Sequence, residues 1–220
     1  MEIKNVRIYG LEESIIASGY PRMIEMYTEE KFDNKMEELY CHIHEVFHTE
    51  NADKDIKRAT NLAQTLQGSG HSCYLKGVIV QYDLTAPEYF WRQFDRYHFH
   101  DYISSNSKMY CITKFDIKKM CNKHVDNRII EILENYISTY NDLINDGFSE
   151  NQLKKVFQQI ISNCPMGLEL TARITDNYLQ LKSKYIQRRH HKLEEWQYYC
   201  DWIETLPMAE KLIIPKKEDK

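Results

Sequence analysis

Residues 70–110, GHSCYLKGVIVQYDLTAPEYFWRQFDRYHFHDYISSNSKMY, constrain this chain more than any other stretch. From Val78 to Thr85 the side chains alternate, with Val80, Tyr82 and Leu84 on one face and Ile79, Gln81, Asp83 and Thr85 on the other. A period of two with one apolar face predicts a half-buried strand. Ala86-Pro87-Glu88 then punctuates it. Proline suits the first helical position, and a carboxylate in the first turn offsets the positive end of the helix dipole. Phe90, Phe94 and Tyr97 recur at i, i+4 and i+7 as an apolar stripe, beside a stripe of Tyr89, Gln93 and Arg96, with Arg92 one turn before Arg96. A polar loop of Ser104, Ser105, Asn106, Ser107 and Lys108 follows. A helix with two guanidinia and an amide next to such a loop suits an anionic, hydrogen-bonding ligand such as a nucleotide. The same residues also read as an ordinary surface helix with a solvated charged face, and both readings fit the stretch taken alone.

The rest of the chain supplies a scaffold. With 220 residues, 42% apolar, it is long enough for one domain with a sizeable core, and only seven glycines and five prolines leave no linker, so residues 1–220 read as a single domain. Ile3 to Tyr9 predicts a strand, Leu11 to Ser18 a short helix or turn, and Ser18-Gly19-Tyr20-Pro21 a turn. Helical periodicity predicts helices over Lys31–His48, Asp53–Gln67, Asp116–Cys121, Val125–Asn145, Glu150–Ser162 and Leu168–Leu181, and a last one with Leu193, Trp196, Cys200 and Ile203. In the Val125–Asn145 helix the expected buried face is Ile129, Ile132, Leu133, Tyr136, Tyr140, Leu143 and Ile144, and Ser149 with Gln152 forms a capping box for the helix after it. Two strands among many helices read as a helix-rich α/β (α+β) chain, to which a family resemblance of residues 70–110 and 177–188 adds a central antiparallel or mixed sheet flanked by helices.

Several function classes are set aside by composition. A formal charge of −4 argues against bulk nucleic-acid binding. No apolar run approaches the roughly 20 residues of a membrane helix, and no basic-then-apolar leader opens the chain. Six cysteines without CxxC pairs read as reduced thiols of a cytoplasmic protein.

Three histidine-bearing segments invite chemistry. His44-Glu45-Val46-Phe47-His48 matches H-E-x-x-H, in which two imidazoles one helical turn apart hold zinc while the glutamate activates water. No third-ligand context follows it, so the expectation is no metal and a solvent-facing side of an amphipathic helix. His71, set between Gly68-Ser69-Gly70 and the central strand, is either a ligand or a cap. Arg188-Arg189-His190-His191-Lys192 is either a solvated face or an anion-binding edge.

Gly70-His71, the strand, Ala86-Pro87 and Arg92-Gln93-Phe94-Asp95-Arg96 resemble the core of the flavin-dependent thymidylate synthases. In that family G-H-x-S/T-x-x-E-H, a strand, A/S-P/R and R-Q-x-x-R-H-R follow one another at the same spacing. A second block is similar as well: Asn177 and Arg188 stand eleven residues apart, as in the family's C-terminal pattern. The chain departs from the family at Lys76-Gly77, Tyr97, His98, Asp101, Ile103, Asn106, Leu179 and Glu194, and Lys108 stands for the closing arginine.

The resemblance implies a thymidylate synthase-complementing-protein-like fold and reductive methylation, or a related one-carbon modification such as hydroxymethylation, at C5 of a pyrimidine nucleotide such as dUMP. It implies FAD as cofactor, with NADPH and methylenetetrahydrofolate as co-substrates, and a homotetramer with active sites at subunit junctions. By the same resemblance Arg188 polarises the pyrimidine, and Gln93, Arg96, Ser105, Ser107 and Lys108 hold the nucleotide. His71, Arg96, Tyr97, His98 and Asn177 fall on flavin-side positions. The alternatives are a non-catalytic nucleotide-binding protein of the same fold and, through His44 and His48, a zinc metallopeptidase.

Overall fold

The structure, a computed structural model, describes residues 1–66 and 68–216. Strands β1 (Glu2–Tyr9), β2 (Ile79–Pro87), β3 (Asp101–Ser105) and β4 (Glu169–Asn177) form one antiparallel sheet in the order β1-β2-β4-β3. Helices account for 56% of the described residues, so the class is helix-rich α+β, as expected. On β2, Val80, Tyr82, Leu84 and Ala86 are fully buried while the intervening residues are half-buried. No helix among the described residues is long and apolar enough to cross a membrane.

The chain divides into two compact units, each drawn from separated segments. The first comprises Met1–Lys4, Asp83–His98 and Tyr102–Ile174. It holds α4 (Glu88–Phe94), the short α5 (Lys108–Cys111) and α6 (Ile117–Met120), then α7 (Asn127–Asn145) and α8 (Glu150–Ser162). Ile130, Leu133, Ile137 and Ile160 close a core with Ile112, Ile117 and Leu168. This corrects the expected face of α7, because Ile129, Ile132 and Ile144 are exposed. Both stripes obey the helical period, and only the packing partner chooses between them. The capping box is present, with the Ser149 backbone N–H donating to Gln152 Oε1 at 3.2 Å.

The second unit comprises Asn5–Tyr82, Phe99–Asp101 and the chain from Thr175 onward. It holds α1 (Leu11–Ala17), α2 (Glu29–Ile43), α3 (Glu50–Ala63), α9 (Tyr178–Arg188), α10 (Glu194–Glu204) and α11 (Ala209–Leu212). Ala52, Ile56, Ala59 and Ala63 make the buried stripe of α3. Gln67, the expected last residue of that helix, lies outside the described residues. The Thr49 hydroxyl caps α3 by accepting from the Ala52 N–H at 3.1 Å. Thr49→Ala is expected to cost about 1 kcal/mol of stability, with Thr49→Ser retaining most of it, as read by urea denaturation.

Three further expectations are corrected. Glu169–Asn177 is a strand, where a helix over Leu168–Leu181 is expected. Residues four apart, such as Leu170, Ile174 and Tyr178, share a face in either geometry, and Thr171, Ile174 and Thr175 favour extended backbone. Residues 101–105 form a strand that overlaps the expected polar loop. As an edge strand exposed on both faces it needs no apolar alternation. α2 stops at Ile43 instead of His48, because Glu45 takes a left-handed φ of 58° and Thr49 is extended to cap the next helix.

Candidate functional site

In the second unit the Ser18–Arg22 turn and one face of α3 enclose a cleft of about 1210 Å³. Tyr20, His71 and Tyr74 supply rings, and Arg22, Lys54, Lys57 and Arg58 supply positive charge. Arg58 is fixed from three sides: it bonds to Asp55 at 2.5 Å, to Ser18 Oγ at 3.1 Å and to the Ile15 carbonyl at 3.0 Å. Gly19 permits this, because a Cβ there would sit 2.9 Å from the guanidinium carbon. Tyr74 is positioned by donating its hydroxyl to the Ala59 carbonyl at 2.7 Å, and burial pushes its pKa above the ordinary value, so it stays a neutral phenol. His71 is exposed at the rim, after Gly68 and Gly70 with φ of 91° and 81°. Those left-handed conformations are what glycine permits at low cost.

The first unit has its own cavity, about 400 Å³, lined by Arg92, Asp95, Ser105 and Lys108 among others. Trp91 forms a wall, with its indole N–H donating to the Ala86 carbonyl at 2.9 Å and the Leu170 carbonyl at 3.3 Å. Two of the expected nucleotide-holding residues, Ser105 and Lys108, therefore meet here. The Lys108 ammonium is paired with the Glu88 carboxylate. Ser107 is the residue before α5, and it does not cap that turn with its side chain. Gln93 lies near the end of α4, while Arg96, Tyr97 and His98 follow the helix rather than continuing its stripes; Arg96 and His98 are exposed. None of these four lines either cavity.

Back in the second unit, Asn177 and Arg188 bracket α9. The Asn177 carboxamide oxygen accepts from the Gln180 N–H at 3.1 Å, and Arg188 is the last helical residue. The Arg188 guanidinium stacks on the fully buried Trp196 at 4.7 Å from the ring centroid, a cation–π contact. Burial, then the charges of Arg188 and Lys192, hold the His191 pKa below its ordinary value.

The H-E-x-x-H segment does not form a zinc helix. His44 caps α2 and Glu45 turns the chain away, so His44 and His48 do not stand one turn apart on a helix. His48 meets His42 instead, Nδ1 to Nδ1 at 3.2 Å, while His42 Nε2 lies 3.4 Å from Asp53. Among the described residues no group of three His, Cys, Asp or Glu side chains is arranged to hold a metal ion.

Sequence reasoning missed a buried polar cluster. Lys184 of α9 pairs with Asp176 of β4, both at 0% side-chain exposure. Tyr82 donates to Asp176 at 3.3 Å and shares a 2.6 Å bond with Tyr199. The available signal was the two-residue spacing of Ala172, Ile174 and Asp176, which puts all three on one face once the segment is read as a strand, and that face is buried on β4.

The chain is similar to two solved structures of flavin-dependent thymidylate synthase from Helicobacter pylori, both complexed with FAD and dUMP. The first has a TM-score of 0.65 at 13% identity, covering 97% of this chain and 98% of that one. The second has a TM-score of 0.59 at 12% identity, covering 97% of each. The fold is that of the flavin-dependent thymidylate synthases. No protein-family model and no curated protein sequence matches the chain.

Proposed function

We propose that this chain is a divergent flavin-dependent thymidylate synthase-like enzyme acting at C5 of a pyrimidine nucleotide such as dUMP. The observation that carries the reading is that two blocks distant in sequence keep family spacing within a chain of this fold. Arg92-Gln93-x-x-Arg96 follows β2 and Pro87, and Asn177 and Arg188 begin and end the helix after β4. At this identity the structural likeness speaks for fold only, so the assignment of chemistry rests on these residues.

In the proposed mechanism Arg188 presents a fixed positive charge to the pyrimidine carbonyl. Charge grows on that oxygen as C5 becomes nucleophilic, and a preorganised cation stabilises it more than water does. Gln93, Arg96, Ser105, Ser107 and Lys108 hold the nucleotide, with Lys108 acting as a point charge without the bidentate fork of arginine. Its pairing with Glu88 already offsets part of that charge.

The donor set of the second unit fits a flavin dinucleotide: rings of Tyr20, His71 and Tyr74 stand beside cations in a cleft roomy enough for one. His71, Arg96, Tyr97, His98 and Asn177 are proposed on the flavin side. When bound, FAD supplies the hydride that completes the methyl group. NADPH and methylenetetrahydrofolate are the proposed co-substrates, in a single-domain subunit of a cytoplasmic homotetramer.

A second reading, a nucleotide-binding protein without turnover, is favoured by Tyr97 and His98 standing at the Arg-His-Arg positions. Retention of Gln93, Arg96 and Arg188 together favours the enzyme.

The visible spectrum of the purified protein tests the proposal. Oxidised-flavin bands after mixing with FAD, perturbed again by dUMP, are expected. A protein that takes up no FAD sinks the flavin mechanism, and one that binds both ligands without forming a C5-modified product supports the second reading.

A further inference from the structure

We infer that the second-unit cleft grips the diphosphate of a dinucleotide through Arg22, Lys54 and Lys57. Insofar as that dinucleotide is FAD, the inference rests on the function proposed above.

The cleft is positive in a chain whose net charge is −4, and no carboxylate of a described residue lines it. Lys54, Lys57, Arg58 and Asn61 recur at i, i+3, i+4 and i+7 and so share one face of α3. Their charges are not equally available. Arg58 is committed to Asp55, and Lys54 makes a surface pair with Glu50 at 2.7 Å, which water and salt weaken. Arg22 and Lys57 form no ion pair with a described residue. An array of uncompensated cations costs stability through mutual repulsion, and a bound polyanion relieves it. The ring side chains at the same cleft specify more than a bare phosphate, since they suit a planar base or ring attached to the anion.

Lys108 stands where the resemblance implies a phosphate-binding arginine, yet it is already paired with Glu88. His98 stands where a second arginine would be. Arg58, locked under Gly19, serves as the structural base of the site and keeps that turn in register with α3.

The test uses the full chain titrated with ADP by calorimetry and with FAD by flavin fluorescence, each at low and at physiological salt. Wild type is expected to bind both, more tightly at low salt. The triple change Arg22→Ala, Lys54→Ala, Lys57→Ala should weaken both by about tenfold or more, since each charge-assisted contact contributes on that scale. All three residues are exposed, so the fold should be unchanged by circular dichroism. Lys57→Arg alone should bind like wild type.

Equal binding by the triple variant and wild type overturns the inference and leaves the flavin reading standing. Binding of ADP that is lost in the triple variant, with no uptake of FAD, supports the inference and removes the flavin. Failure of wild type to bind either ligand overturns it.

Discussion

Replacing Arg188 with alanine is expected to lower turnover of the pyrimidine nucleotide by about 100- to 1000-fold, the loss typical of removing one preorganised stabiliser of developing negative charge. The effect should fall mainly on kcat, because the interaction strengthens as charge accumulates on the pyrimidine in the transition state. Arg188→Lys should recover part of the rate, since a point charge replaces the planar guanidinium. Loss of the stack on Trp196 is a separate and smaller effect, about 0.5–1 kcal/mol of stability. Steady-state kinetics with dUMP, alongside a denaturation curve, distinguishes the two. An Arg188→Ala protein with wild-type kcat would remove Arg188 from the chemistry, and a raised KM at constant kcat would reduce it to a binding residue.

The largest stability effect should come from Asp176→Ala, at about 3–5 kcal/mol, the cost of leaving a buried charge without its partner. Lys184 and Asp176 are both fully buried, and Tyr82 and Tyr199 extend their bond network. Replacing both partners with apolar residues, Asp176→Leu with Lys184→Met, should cost much less than the single change. Urea denaturation of the three proteins checks this, and a single variant as stable as the double would refute it.

The same pair predicts a pH dependence. Burial lowers the Lys184 pKa below its ordinary 10.5, and Asp176 opposes that fall. Between the depressed folded value and 10.5 the unfolded chain binds more protons, so stability rises with pH across that window. Removing Asp176 takes away the opposing contribution, so the window should extend to lower pH and the total rise across it should grow. Denaturation midpoints followed from neutral to alkaline pH would show it.

Much of the scaffold was legible because short-range rules and packing agreed. The alternation in β2, Glu88 in the first turn of α4 and the Ser149–Gln152 box appear as their residues predict, while Pro87 stands one position earlier than expected, at the N-cap. The helix-rich α+β class follows from these elements taken together. Where two periodicities coincide, sequence misled. Leu170, Ile174 and Tyr178 satisfied a helix and a strand equally, and α7 offered two apolar stripes of which the core of the first unit buries one. β3, exposed on both faces, carried no pattern at all.

For the candidate site the division is sharper. Sequence by itself determined the identity and spacing of Gln93, Arg96, Asn177 and Arg188, because motif chemistry is carried by residue type along the chain. Only the tertiary structure decided which charges are available. It paired Lys108 with Glu88, drew Arg58 onto Asp55 under Gly19, and left Arg22 and Lys57 at a cleft without ion-pair partners among the described residues. It also ended α2 before the H-E-x-x-H segment and buried Lys184 against Asp176. The physical reason is that Coulomb interactions and desolvation depend on distance and exposure in three dimensions, whereas the chain specifies directly only which groups follow one another.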